Sequence, residues 1–121
     1  MKGSIEADFT IISFGQVAKA AGTPYLMKGG QFEWHDAKAA ENLRNHGVAF
    51  EKAVKALADP FAIEWIDQSE AYGEERWNLL GMSAGVILHV THTERGERIR
   101  IISARRAERH EQDRYYRENA P

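Results

Sequence analysis

The change of residue pattern at Ala62 constrains the fold of this chain more than any other feature. From there onward the sequence alternates between apolar and polar positions, as strands do. Four such segments are predicted strands: Ala62–Asp67, Glu75–Met82, Val86–Thr93 and Arg98–Ala104. Tight connections at Ser83-Ala84-Gly85 and Arg95-Gly96-Glu97 separate the last three, and short connections join antiparallel neighbours. The pattern therefore predicts an antiparallel meander.

Two helices are predicted before the meander. Phe32-Glu33-Trp34 has the character of a short strand, and Asp36 is placed to cap a helix from Ala37 to about Asn45, ended by Gly47. Its apolar positions predict a narrow buried stripe: Ala39, Ala40 and Leu43. The second helix spans Phe50 to Ala58, with apolar residues three to four apart, and Asp59-Pro60 ends it.

A strongly polar helix from about Ala107 to Asn119 closes the chain, with Tyr115 and Tyr116 as its large side chains. The order of elements predicts an α+β domain. Two N-terminal-side helices and a C-terminal helix would pack on one face of a curved antiparallel sheet.

Residues 1–30 differ from the rest and are expected to be an N-terminal extension to a domain at 31–121. Within them, Phe9–Phe14 predicts a strand, Gln16–Ala21 a helix and Gly22-Thr23-Pro24 a turn. Met-Lys-Gly occurs at both Met1 and Met27, so the first 26 residues are either an added upstream segment or a real element of the fold. The sequence leaves both open.

Composition narrows the class of protein. The 121 residues suit one domain and contain no cysteine, which removes disulfides and thiolate chemistry and suits a reducing cytoplasm. No apolar run approaches the roughly 20 residues of a membrane span. The histidines and carboxylates lack metal-ligand spacing, so neither a metal nor another cofactor is expected.

The charged residues are strongly segregated. Between Asp59 and Glu75 every charged residue is acidic, whereas eight arginines lie between Arg95 and Arg117. After Lys55 every Lys or Arg position is Arg. Because a guanidinium grips phosphate oxygens two at a time, this choice favours recognition of a phosphate-rich partner. The alternative is that the acidic and basic segments face each other and cancel.

An ordered set of motifs over residues 31 to about 117 resembles the BrnT family of bacterial toxins. The motifs are Phe32-Glu33-Trp34, Asp36-Ala37-Lys38, Asn42–Val48 with Phe50-Glu51, Ala58-Asp59-Pro60, Glu75-Arg76-Trp77, Thr93–Gly96 and Ile99–Arg106. The resemblance implies a toxin of a type II toxin-antitoxin pair with a RelE-like ribonuclease fold that cuts RNA. It also implies a cognate BrnA-like antitoxin, which binds operator DNA, and a complex of two toxins with two antitoxins.

The chain departs from the family pattern in residues 1–30 and at Ala49. The family often has Ser at that position, and Ala removes a helix cap worth about 1 kcal/mol.

Cleavage of RNA without a metal needs a base, an acid and cations that stabilise the phosphate. The expected catalytic residues are Arg76, His92, Glu94, Arg95 and Arg105. His92 is the preferred acid or base, assisted by Glu94 or Tyr116. The expected nucleic-acid-binding residues are Arg98, Arg100, Arg106, Tyr116 and His46.

Each of these residues also has a structural interpretation. His89 and His92 lie three apart in a strand, so they point to opposite faces, and either is compatible with ordinary packing. Arg98 and Arg100 share a strand face opposite Ile99 and Ile101, which also suits a solvated surface. The other structural interpretations are an internal Glu75–Arg76 ion pair, a helix-end role for His46, surface positions for His35 and His110, and core positions for Trp34, Trp65 and Trp77.

Two other functions fit the same residues. One is a non-enzymatic, arginine-rich nucleic-acid-binding or regulatory module. The other is an interaction domain whose arginines contact an acidic protein.

Overall fold

The computed structural model describes residues 8–13, 30–68 and 73–121. They form six strands and three helices: β1 (Phe9–Ser13), β2 (Gln31–His35), α1 (Asp36–His46), α2 (Phe50–Leu57), β3 (Ile63–Ile66), β4 (Trp77–Ser83), β5 (Val86–Arg95), β6 (Arg98–Arg106) and α3 (Arg109–Glu118). The predicted α+β class is confirmed. The predicted helix at Gln16–Ala21 and turn at Gly22–Pro24 lie outside the described residues.

The strands form one sheet in the order β1-β2-β6-β5-β4-β3. Strands β3 to β6 form the predicted antiparallel meander, and β1 pairs antiparallel with β2. Strand β2 pairs with β6 in parallel, with Phe32 opposite Ile99, so the sheet is mixed rather than wholly antiparallel. Both helices α1 and α2 and three strands lie between β2 and β6 in the chain, and parallel neighbours require such a long connection.

The sheet carries a hydrophobic cluster on each face, which corrects the expectation that all helices pack on one face. Leu79 belongs to the large cluster under α2, together with Phe50 and Val54. Its neighbour Leu80 belongs to a second cluster with Tyr115 of α3. Since adjacent strand residues point to opposite faces, α2 and α3 lie on opposite sides of the sheet.

Helix α1 contacts the sheet mainly through a polar residue, and Ala39 is the member of the predicted apolar stripe that packs against the main core cluster. Asn42 is the buried residue of this helix, whereas Leu43 is 52% exposed and Ala40 is exposed. The Asn42 amide donates to the backbone oxygens of Val48 and Ala104 and accepts from the Ala104 N–H. Strand β6 pairs with β2 over a short stretch. Beyond that stretch, the Asn42 side chain bonds to the β6 backbone in place of a neighbouring strand.

The helix boundaries follow local chemistry. His35, not Asp36, caps α1, because its Nδ1 accepts from the Ala37 N–H at 3.2 Å. Gly47 adopts the predicted left-handed stop with φ of 70°. Ala49 stands at the N-cap of α2 without a side-chain cap bond. A Cβ at Gly81 of β4 would lie 2.2 Å from the Ala56 oxygen, so α2 packs closely on that strand.

Within the described residues, no helix combines the length and the apolar character needed to cross a membrane.

Candidate functional site

Three predicted site arginines converge on one surface groove of about 220 Å³. We call it the arginine groove, and its lining residues are Phe9, His35, Lys38, Glu74, Arg76, Arg95, Arg100, Ile101 and Ile102. Four of these side chains are cationic and one is a carboxylate, so the lining favours an anion.

The arginines reach the groove from three places in the sheet. Arg76 directly precedes β4, Arg95 ends β5 and Arg100 lies within β6. Strand β5 lies between β4 and β6. Because β4 and β5 pair antiparallel, the start of β4 and the end of β5 lie at the same end of the sheet. The groove is therefore a product of the strand order.

Glu74 is shared by two of the arginines. One carboxylate oxygen lies 3.2 Å from Arg76 Nε, and the other lies 3.0 Å from Arg95 Nη2. The Glu74 and Arg95 side chains are partly exposed, at 27% and 49%. The predicted internal pair at this position was Glu75–Arg76, and the contact found is Glu74–Arg76. Arg95–Glu74 is also a contact between the basic segment and the acidic segment.

Arg100 has a fixed orientation. Its Nε donates to Glu33 at 2.6 Å, its Nη2 contacts the same carboxylate, and its guanidinium lies 4.6 Å from the centre of the Phe9 ring. Glu33 is 5% exposed and also contacts Arg98 at 3.4 Å. The alternative of a simple solvated face does not describe Arg98 and Arg100 fully, because both are bound to a buried carboxylate.

His35 was expected to be a surface residue, but it lines the arginine groove. Its Nδ1 accepts the capping bond of α1, so the neutral ring carries its hydrogen on Nε2. Its ring meets the Phe9 ring edge-on at 5.1 Å. His35 can therefore donate a hydrogen bond to a bound oxygen.

His92, the preferred acid or base, lies inside the protein at 1% exposure. Its Nε2 is 3.1 Å from Glu64, and its ring stacks on Trp77 at 6.3 Å. His89 lies on the opposite sheet face, as predicted, with its ring edge against Trp65. Burial and then the nearby Arg105 cation lower the pKa of His89. The structure does not place either ring in the arginine groove.

Arg105 forms a two-pronged ion pair with Glu111 of α3, at 2.9 and 3.0 Å. Burial raises the pKa of Glu111, but hydrogen bonds from Arg105 and the Glu108 N–H outweigh it and hold the pKa at about 2. Glu111 also completes a capping box with Glu108. Arg105 thus connects β6 to α3, away from the arginine groove.

The remaining predicted residues are dispersed. His46 lines a second groove between α1 and β6, and Arg106 lines a third beside the β4–β5 turn. Glu94 is exposed near the end of β5. Tyr116 is 58% exposed on α3.

One group of possible metal ligands occurs among the described residues: Glu108, His110 and Glu111, with ligand atoms within 4.8 Å of one another. The sequence spacing did not indicate it. Glu111 is already bound to Arg105, so this exposed group is explained by the capping of α3.

Besides Ile101 and Ile102, sequence patterns missed four residues of the arginine groove: Phe9, His35, Lys38 and Glu74. Glu74 lies two residues before Arg76, and that proximity was the available signal. No pattern connected Phe9 with residues in β6.

The groove is suited to a phosphodiester. Guanidinium groups donate in a planar fork that matches phosphate oxygens, and a carboxylate beside them can accept a proton from a nearby hydroxyl.

A family model described as "Ribonuclease toxin, BrnT, of type II toxin-antitoxin system" matches residues 34–111. The match includes Glu74, Arg76, Arg95 and Arg100, and it excludes Phe9. No curated protein matched the chain.

Proposed function

The chain belongs to the BrnT family of ribonuclease toxins of type II toxin-antitoxin systems, and we propose that it cuts RNA at the arginine groove without a metal ion and so arrests growth. The α+β fold is compatible with the RelE-like ribonuclease architecture. The observation that carries the proposal is the meeting of Arg76, Arg95 and Arg100 with one carboxylate in a single groove.

The arginines bind the phosphate to be cleaved. Guanidinium donors fixed on strands strengthen as negative charge develops on the phosphate oxygens in the transition state. Arg100 is pre-oriented by Glu33, so it loses little freedom on binding. Arg98, next to the same carboxylate, extends the cationic surface to neighbouring phosphates.

Glu74 acts as the base. Its carboxylate accepts the proton of the 2'-hydroxyl, and the 2'-oxygen attacks phosphorus as the bond to the 5'-oxygen breaks. The 5'-oxygen takes a proton from solvent, which leaves a 2',3'-cyclic phosphate and a 5'-hydroxyl. In this proposal Glu74 takes the acid–base role that was expected for His92 with help from Glu94, because neither of those residues lines the arginine groove. In the proposal Arg105 and Tyr116 have no part in the reaction.

A cognate BrnA-like antitoxin holds the toxin inactive, in an assembly of two toxins with two antitoxins. Family membership supports an antitoxin partner. Because the substrate is cellular RNA, the toxin acts in the cytoplasm. Co-expression with a BrnA-like neighbour is expected to relieve growth arrest, and the mass of the purified complex reports the stoichiometry.

Cleavage of RNA by the purified, antitoxin-free chain in EDTA tests the enzymatic proposal. We expect Arg76→Ala and Arg95→Ala to lower the rate by at least about tenfold, as loss of a charge-stabilising donor does. Arg109→Ala is the matched control, because its side chain is 90% exposed on α3 and lies outside the groove. Unchanged circular dichroism confirms that the variants are folded.

Glu74→Gln separates binding from chemistry. It removes the base and the charge that competes with phosphate, so cleavage slows while a non-cleavable 2'-O-methyl RNA binds at least as tightly. Intact RNA after prolonged incubation with folded wild-type protein contradicts the enzymatic proposal. Salt-dependent binding without products supports the non-enzymatic module instead.

A further inference from the structure

The strand β1 lies outside the residues matched by the family model, yet it is built into the sheet. It pairs along its whole length with β2, from Phe9 opposite His35 to Ser13 opposite Gln31. The Asp36 N–H donates to the Asp8 oxygen at 2.7 Å, and the Thr10 hydroxyl donates to the Asp36 carboxylate. Ile12 packs against the main core cluster. These contacts fix β1 beside the start of α1.

Phe9 brings this strand to the arginine groove. Its ring lines the groove, contacts the edge of His35 and lies under the Arg100 guanidinium at 4.6 Å. Glu33 binds the same guanidinium through Nε at 2.6 Å. The Arg100 guanidinium is thus held by a carboxylate and by an aromatic ring. A cation–π contact of this kind restricts the guanidinium without using its hydrogen-bond donors, which the carboxylate contact does use.

We propose that β1 completes the RNA-binding groove and that Phe9 is a positioning residue that holds Arg100 toward the RNA phosphate. The inference rests on the proposed function. It assigns the N-terminal strand to the binding site, although the family model does not include it. It also predicts that Phe9 acts through Arg100 and has no separate contribution to binding.

Binding of a non-cleavable 2'-O-methyl RNA by the full chain tests the proposal. We expect Phe9→Ala and Phe9→Leu to weaken binding by roughly fivefold, the value of one partly exposed cation–π contact. Phe9→Tyr, which keeps the ring, should bind like the wild type. Phe61→Ala is the matched control, since Phe61 is 60% exposed and does not line the groove. Phe9→Leu keeps an apolar side chain in β1, so the test does not depend on Phe9→Ala folding.

The salt dependence gives a second measurement. Loss of one phosphate contact should lower the slope of log affinity against log salt by about 0.7 for single-stranded RNA. In an Arg100→Ala background, Phe9→Leu should cause no further loss, because the two residues act as one unit.

Wild-type binding and an unchanged salt slope for Phe9→Leu would overturn the inference, as would losses that add in the double variant. If Arg76→Ala and Arg95→Ala still weaken binding in that case, the proposed function stands and the role of Phe9 alone is rejected. A wild-type chain that binds no RNA rejects both.

Discussion

Replacement of Asn42 by Ala should destabilise the protein strongly, although Asn42 is a polar residue on a largely exposed helix. Its amide nitrogen donates to the Val48 oxygen at 2.9 Å and to the Ala104 oxygen at 2.7 Å. Its amide oxygen accepts from the Ala104 N–H at 3.1 Å. Asn42 therefore supplies three buried hydrogen bonds that connect α1 to the loop before α2 and to β6.

The expected loss follows from the backbone groups left behind. Ala104 is 0% exposed and Val48 is 4% exposed, so water does not readily replace the amide. An unsatisfied buried donor or acceptor costs about 1–3 kcal/mol. Three such groups lose a partner, and local relaxation and the second lone pair of each carbonyl relieve part of the cost. We therefore expect the free energy of unfolding to fall by about 3 kcal/mol.

Urea denaturation of Asn42→Ala and wild type measures this difference directly. Asn45→Ala is the matched control, because the same amide is removed from the same helix at an exposed position. The control should stay within about 0.5 kcal/mol of the wild type. For a chain of this length, a loss of about 3 kcal/mol corresponds to a fall of roughly 10 °C in Tm.

A difference below about 0.5 kcal/mol between Asn42→Ala and Asn45→Ala would refute the reasoning. It would mean that the Ala104 backbone groups find other partners. Asn42→Asp provides an independent test, because it keeps the acceptor but puts a carboxylate against two carbonyl oxygens. This contact raises the pKa of the new carboxyl in the folded state above the ordinary Asp value, so the variant should recover stability as the pH falls toward about 4, where the recovery is complete.

Three further predictions concern contacts outside the arginine groove. Ala49→Ser should supply the missing cap of α2 and raise the free energy of unfolding by about 1 kcal/mol in urea titration, with no gain contradicting the capping argument. The folded-state pKa of Glu111 is depressed from 4.5 to about 2, so its pair with Arg105 should contribute about 1 kcal/mol above pH 4.5 and lose it as the pH falls toward 2. Glu111→Gln should flatten that part of the stability–pH curve, and an unchanged curve contradicts the pairing. Burial, followed by the Asp59 hydrogen bond, raises the pKa of Tyr115, and Tyr115→Phe should lose about 1–2 kcal/mol of stability while leaving RNA cleavage unchanged.

The meander was predictable because its strands carry clear alternation. Leu79 and Leu80 face different clusters, and Ile99 and Ile101 are buried between arginines that point the other way. These features depend on the local period of the sequence. The predicted boundaries of β3 to β6 accordingly lie within two residues of those found.

Helix α1 was predicted in position but not in its contacts. Apolar spacing pointed to Leu43, which is 52% exposed, whereas the helix is attached through Asn42. A polar anchor gives no hydrophobic period. Asn42 stabilises the fold because it bonds to the backbone of Ala104, which lies 62 residues away in the sequence. Only the folded sheet shows that the two residues are neighbours.

The site was partly predictable for a similar reason. Arginine-rich composition pointed to Arg76, Arg95 and Arg100, but it placed Arg105 among the expected catalytic residues and Arg100 only among the nucleic-acid-binding ones. The capping box of Glu108 and Glu111 was not predicted, because Glu is not among the usual N-cap residues. That Glu111 also binds Arg105 depends on where α3 lies on the sheet.

The arginines are thus divided by the geometry of their carboxylate partners. Arg105 meets Glu111 through two parallel bonds, a pairing that matches the full fork of one guanidinium to one carboxylate. Glu74 instead gives one oxygen to Arg76 and the other to Arg95, so neither contact matches both carboxylate oxygens to one guanidinium. An incoming phosphate gains more from the second arrangement, because a single contact with Glu74 costs less to replace than the two parallel bonds of the Arg105–Glu111 pair. For this reason we propose Arg76 and Arg95, rather than Arg105, as ligands of the RNA phosphate.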